Sequence, residues 1–105
     1  QQRQRDAWMT IQRAHAIANG LPIVTCNRTG FEPDPSGQTP GVNFWGTSFI
    51  AGPQGELLAK CSSNKNETLA VEVDLDHNET IRRIWPYFRD RRIDAYDNIL
   101  KRYCD

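Results

Sequence analysis

Apolar residues recur at helical spacing near the start of the chain and at two-residue spacing near its middle. Ala7, Ile11, Ala14 and Ala18 lie three or four residues apart, which puts them on one face of a helix with Trp8 and His15 beside the stripe. Asn19-Gly20 supplies a left-handed C-terminal stop, and Pro22 prevents the helix from continuing. The small alanines predict a helix lying close on a sheet. Residues 21–26 (Leu-Pro-Ile-Val-Thr-Cys) form a short β-branched run, read as a buried strand.

From 27 to 43 the pattern breaks. Gly30, Pro33, Pro35, Gly37, Pro40 and Gly41 predict a long loop, which in a small domain is often functional. Residues 46–51 resume as a strand, Gly52-Pro53-Gln54-Gly55 reads as a turn, and residues 56–61 return as its hairpin partner. After a polar turn at 62–67, Leu69, Val71, Val73 and Leu75 alternate with Thr68, Ala70, Glu72 and Asp74. That alternation predicts a fourth strand with one buried face. Asp76 or Asn78 is positioned to cap a short helix through 80–84 that Pro86 stops. Beyond it, Trp85-Pro86-Tyr87-Phe88 is apolar and Arg89-Asp90-Arg91-Arg92 charged. A tail of this kind cannot bury its aromatics within itself and has to lie across the domain or a partner. One helix followed by four strands predicts an α/β chain, α+β if taken alone.

Composition narrows the function classes. The 105 residues make at most one domain, with thirteen basic and thirteen acidic side chains and a formal net charge of zero. That balance argues against nucleic acid as a partner, and no apolar run approaches the ~20 residues of a membrane span. The three cysteines, Cys26, Cys61 and Cys104, are odd in number and lack a Cys-x-x-Cys pair, and neither His15 nor His77 is near one. A zinc site and a paired disulfide framework are both disfavoured, so reduced thiols in a cytoplasmic protein are expected. Three Asn-x-Thr sequons, at Asn27, Asn66 and Asn78, need little more than chance in a chain with no secretory signal pattern.

Cys26, at a strand end before a glycine-containing loop, is the obvious nucleophile to test, yet a free cysteine after Ile23 and Val24 reads equally as a small core filler. Cys61 and Cys104 have weaker claims. His15 reads as a helix–sheet histidine, His77 as exposed, and Asp74 and Asp76 as turn and cap residues rather than metal ligands. Asn27 can tie a loop through an Asx-type turn, and Arg28, with Glu32 nearby, can hold carbonyls or a carboxylate. The arginines at 82, 83, 89, 91 and 92 are interleaved with Glu79, Asp90 and Asp94, which favours ion pairs or a protein interface over nucleic acid.

In order and spacing these segments resemble the C-terminal portion of the nitrilase superfamily, the carbon–nitrogen hydrolases. The matching pieces are Arg13-Ala14-His15-Ala16-Ile17-Ala18-Asn19-Gly20, Val24-Thr25-Cys26-Asn27-Arg28-Thr29-Gly30-Phe31-Glu32, Phe44-Trp45-Gly46-Thr47-Ser48-Phe49-Ile50, Pro53-Gln54-Gly55, Val73-Asp74-Leu75, and residues 85–92. The helix, the Asn27-Arg28 strand exit and the tail are most similar to the N-carbamoylputrescine amidase branch. The resemblance implies an αββα four-layer sandwich of which residues 1–84 supply the C-terminal part, followed by a tail at 85–105. It implies a Glu–Lys–Cys triad acting through a thioester, with none of the three in this chain, so that the chain alone is expected to be inactive. It further implies an N-carbamoyl amine or amide substrate, no metal or organic cofactor, and a homo-oligomer completed by the remainder of the parent enzyme. Asn27 and Arg28 then serve as scaffold, Glu32, Phe44 and Trp45 as pocket rim, and Trp85, Phe88, Arg91 and Arg92 as interface. The competing expectations are another linear amidase or nitrilase, or a non-catalytic interaction domain binding through its arginine–aromatic tail.

Overall fold

The computed structural model describes residues 2–103, so Cys104 lies outside the described residues. Helix α1 spans Gln2–Asn19 and ends where the sequence predicts. Gly20 takes φ +58°, its N–H donates to Ile17 O (3.1 Å), and the Leu21 N–H donates to Ala16 O (3.1 Å). This pair of bonds satisfies two otherwise orphaned carbonyls.

The buried face of α1 is not the predicted one. Ala7, Ile11, Ala14 and Ala18 point outward, as does His15, and Ile11 is 52% exposed. Trp8, Gln12 and Ala16, four residues apart, face inward instead. Trp8 decides the rotation: its ring meets Phe49 edge-on (centroids 5.6 Å apart, planes at 87°), and a tryptophan has more surface to bury than three alanines.

Strands β1 (Ile23–Thr25), β4 (Phe49–Ala51) and β5 (Leu57–Lys60) form an antiparallel sheet in the order β1-β4-β5. Thr25, Phe49 and Lys60 are register partners, so the Phe49 row faces α1 and the Val24–Ile50–Ala59 row lies on the opposite face. β4 is buried throughout, whereas β1, read as a buried strand, is an edge whose Val24 is 68% exposed. The Gly52–Gly55 turn joins β4 to β5 as predicted, closed by Gly55 N–H to Gly52 O (2.9 Å).

Residues 27–43 are not the irregular loop that their glycines and prolines suggest. They contain β2 (Thr29–Pro33), which pairs antiparallel with β3 (Gly41–Trp45) as a separate two-stranded hairpin. Pro33 and Gly41 sit in the last ladder pair, where the proline leaves the ladder without interrupting it. The tip is tied by Asp34, whose carboxylate accepts from the Ser36 N–H and hydroxyl (2.8 and 2.7 Å) and from the Thr39 N–H and hydroxyl (3.0 and 2.9 Å).

Bonds from Ser36, then from Thr39, lower the Asp34 pKa from the ordinary 3.8 to about 2. A depressed carboxylate contributes stability that is present above its unfolded value and lost as pH falls through its folded one. The hairpin tip is therefore expected to loosen between pH 3.8 and about 2. A carbon-detected titration of Asp34 checks the midpoint. Asp34→Ala should abolish the accompanying change in Ser36 and Thr39 amide exchange; a midpoint near 3.8 would deny the tie.

Two further expectations change. The alternation at 69–75 forms no strand, because among the described residues no other strand pairs with it. Helix α2 starts earlier than read, spanning Leu75–Ile84, and its cap is Asp74, whose carboxylate accepts from the His77 N–H (3.0 Å), rather than Asp76 or Asn78. Asn78 is instead buried within the helix. Pro86 follows the helix end as predicted. The tail then continues through 3-10 turns at Ile93–Ala95 and Asp97–Leu100 with its apolar residues uncovered, Leu100 being 92% exposed.

The resulting body is a slab, 50 × 47 × 19 Å, with a radius of gyration of 18.2 Å where a compact chain of this length has about 13 Å. Its accessible surface is 8340 Å², against about 6,000 Å² for a compact monomer. Helices and antiparallel sheets make this an α/β chain in which essentially one helix layer covers one sheet.

Candidate active-site wall

The chain leaves the three-stranded sheet after β1 and returns at β4, and the hairpin hangs between these two points. Asn27 joins them. Its N–H donates to Ser48 Oγ (2.9 Å), its Nδ2 donates to Gly46 O (2.9 Å), and its Oδ1 accepts the Arg28 N–H (2.9 Å). Ser48 Oγ in turn donates to Asn27 O (3.3 Å), and the Gly46 N–H donates to Arg28 O (2.8 Å). The Asx-type turn expected of Asn27 is not what forms: its Oδ1 accepts the N–H of the very next residue, and its Nδ2 reaches across the fold to Gly46 O.

Thr47 makes the turn into β4 at φ +62°, although it is β-branched and buried. Such a residue in the left-handed region costs about 1–3 kcal/mol and persists only where its surroundings hold it. Here the Thr47 N–H donates to Ser62 O (3.0 Å) and its hydroxyl to Trp45 O (2.7 Å). No sequence signal marked this position apart from the glycine before it.

Beyond the clasp, the Arg28 guanidinium lies 4.3 Å over the Phe44 ring and forms an ion pair with Glu32. Gly30 stands opposite Phe44 and Glu32 opposite Val42, so Arg28, Phe44 and Glu32 share one side of the hairpin. Trp45 is paired with Thr29 on the other side, and the Thr29 hydroxyl donates to Ser63 O (3.1 Å). Of the three residues expected at a pocket rim, Glu32 and Phe44 therefore come together around Arg28. Phe44 and Trp45 share a cleft of about 320 Å³ with Thr29, Asn43 and Arg5.

Next to the clasp is a second, polar cleft of about 170 Å³ lined by Asn27, Arg28, Thr47, Cys61, Lys65 and Glu67. A cysteine, a glutamate and a lysine meet there, a grouping missed when residues 62–67 were read only as a turn. Its electrostatics oppose nucleophilic chemistry. Glu67 accepts the Ser62 N–H (2.6 Å), and that bond, with the nearby Lys65 charge and the Cys61 thiol, holds its carboxyl below the usual range. Burial, then the negative charge of Glu67, pushes the Cys61 thiol up. With the acid made stronger and the thiol weaker, the proton stays on sulfur. Cys26 is exposed at the end of β1.

The remaining candidates are dispersed. His15 and His77 are exposed and line none of the clefts described here, and no group of three or more His, Cys, Asp or Glu side chains able to hold a metal ion occurs among the described residues. Of the sequons, Asn66 is exposed, Asn27 is engaged through Nδ2, and Asn78 is buried. In the tail Phe88 is exposed with Arg91 stacked 4.4 Å over its ring, Trp85 lies 6.0 Å from Tyr87, and Arg92 is paired with Asp94 (2.6 Å). Trp85 and Phe88 line a cleft of about 270 Å³ with Gly20 and Arg82. Among the described residues no helix is long and apolar enough to cross a membrane.

Comparison with known proteins places this geometry. The carbon–nitrogen hydrolase family model matches residues 1–83. N-carbamoylputrescine amidase of Arabidopsis thaliana is 41% identical over 97 residues, covering 91% of the chain and 32% of the relative. Citrullinase of Francisella tularensis is 30% identical over 99 residues, covering 94% of the chain and 34% of the relative. The crystal structure of a carbon–nitrogen hydrolase from Helicobacter pylori G27 superposes with a TM-score of 0.92 at 55% identity, covering 98% of the chain and 35% of that structure. The chain spans about a third of the length of each.

Proposed function

Since the chain belongs to the carbon–nitrogen hydrolase family, we propose that it forms the C-terminal sheet, hairpin wall and tail of an amidase that hydrolyses an N-carbamoyl amine such as N-carbamoylputrescine. The finer substrate assignment rests on the likeness to the Arabidopsis amidase. In this reading a cysteine outside these residues attacks the carbamoyl carbon, a glutamate takes its proton, and a lysine stabilises the charged intermediate. Ammonia leaves as its C–N bond breaks, water hydrolyses the resulting S-carbamoyl thioester and frees the cysteine, and the carbamate released loses carbon dioxide to give the free amine. No metal or organic cofactor takes part. Residues 1–84 contribute to the catalytic domain of a cytoplasmic enzyme, with Asn27 and Arg28 as scaffold and Glu32, Phe44 and Trp45 at the pocket rim. Residues 85–105 meet a second copy of the enzyme through Trp85, Phe88, Arg91 and Arg92.

The observation that carries this reading is the superposition on a carbon–nitrogen hydrolase over 98% of the chain at a TM-score of 0.92. Within the chain, Glu67 is held below and Cys61 above its ordinary range, which opposes an activated nucleophile at that pair. The slab shape, with sheet and tail surface uncovered, suits a segment completed by more polypeptide. The test is ammonia release from N-carbamoylputrescine, citrulline and 2-oxoglutaramate by the full-length enzyme, by its Cys26→Ala and Cys61→Ala variants, and by residues 1–105 alone. Release by full-length enzyme and both variants, fastest from N-carbamoylputrescine, and none by the segment, is expected. Activity of the segment that vanishes with either cysteine would overturn the assignment.

A further inference from the structure

Two features mark the hairpin root. Five hydrogen bonds converge on Asn27, Arg28, Gly46 and Ser48, where a single tight turn would have joined the strands with fewer. Beside them a buried threonine is held in a conformation that glycine would adopt without strain. Gly46 is backed by the chain at 62–63, since a Cβ there would lie 3.0 Å from Ser62 O and 3.1 Å from Ser63 O. The root of the hairpin is thus tied on one side to β1 and braced on the other by the segment after β5. An isolated two-stranded ribbon with Phe31 and Val42 more than half exposed has little packing of its own to fix its direction. Its aim is set at the root.

We propose that Asn27, Thr47 and Ser48 are positioning residues that aim the hairpin as a rigid wall of the substrate pocket, so that the Arg28–Phe44–Glu32 side meets the part of the substrate distant from the scissile bond. This rests on the amidase reading. Because these residues act through the wall and do not touch the reacting atoms, their loss weakens substrate capture and leaves the chemical step in place. Thr47 separates this role from a merely structural one. Glycine at 47 relieves the backbone strain and keeps the N–H to Ser62 O, while releasing the hydroxyl tie to Trp45 O.

The experiment is steady-state kinetics on full-length enzyme carrying Asn27→Ala, Ser48→Ala, Ser48→Thr or Thr47→Gly, with the thermal midpoint of each. KM is expected to rise roughly ten- to a hundredfold in Asn27→Ala and Ser48→Ala, with kcat within about twofold of wild type. Ser48→Thr, which keeps the hydroxyl, should recover most of the loss. Thr47→Gly should raise KM although its midpoint does not fall. An active wild type whose Asn27 and Thr47 variants keep their KM, or lose activity only in step with melting, would overturn the positioning role alone. A full-length wild type inactive on every ureido and amide substrate would overturn the amidase reading and this role together.

Discussion

Phe49→Ala is expected to destabilise the protein by about 3–5 kcal/mol, the usual cost of deleting a buried phenyl ring. Phe49 is the largest side chain that is essentially fully buried, at 1% exposure, and it stands in the central strand between Thr25 and Lys60. Its ring receives the edge of Trp8, which joins α1 to the sheet together with the Arg13 Nε–H donated to Gly55 O (2.6 Å). A slab one helix and one sheet thick has few other residues to close around the vacancy: among the described residues the other buried apolar side chains are Ala16, Ile50, Ala51, Cys61 and Ile81, with Pro53 buried in the β4–β5 turn. Domains are typically stable by about 5–15 kcal/mol, so the loss is a large fraction of the total. Urea titration checks it, with the midpoint falling and the slope unchanged. A double-mutant cycle with Trp8→Ala should give a coupling of about 0.5–1.5 kcal/mol for the edge-on pair. A cost below about 1 kcal/mol would mean that the helix is held elsewhere.

That contact also explains where sequence reading succeeded and where it failed. The existence and end of α1 were legible, because the 3.6-residue period and Asn19-Gly20 act locally. Its buried face was not: the alanine stripe is the more apolar one, yet Phe49, thirty residues after the helix ends, selects the face containing Trp8 although Gln12 interrupts it. At 69–75 the alternation specifies which side chains would share a face but supplies no neighbouring strand, so nothing pairs. The hairpin was hidden for the opposite reason. Pro33 and Gly41 read as breakers, yet they occupy the one ladder position where a missing donor and a positive φ are useful. In the site, Asn27, Arg28 and Glu32 were legible from their residue types and spacing. The Cys61–Glu67 pair and the Thr47 turn were not, because both are created by the return of the chain after the hairpin.

Gly41→Ala is expected to open that hairpin. Gly41 has φ +123°, outside the regions an alanine adopts readily, and an added Cβ would collide with Glu32 O and stand 2.7 Å from Pro33 Cα and 3.0 Å from Asp34 N. All three are main-chain atoms, two of them in the partner strand, so no side-chain rotation relieves the contact. A cost of about 2–3 kcal/mol corresponds to roughly a hundredfold more opening. Gly37 provides the comparison, at φ +69° in the hairpin tip, where a Cβ would meet nothing within 4 Å. Gly37→Ala carries only the left-handed backbone penalty, about 1–2 kcal/mol. Amide exchange separates the two. In Gly41→Ala, protection should collapse along β2 and β3 while Phe49, Ile50 and Ala51 stay protected, and Gly37→Ala should loosen only the tip. Equal effects of the two substitutions would show that the close approach of Gly41 to Glu32 and Pro33 does not hold the strands together. Selective collapse would show that the wall can be undone without disturbing the sheet from which it hangs.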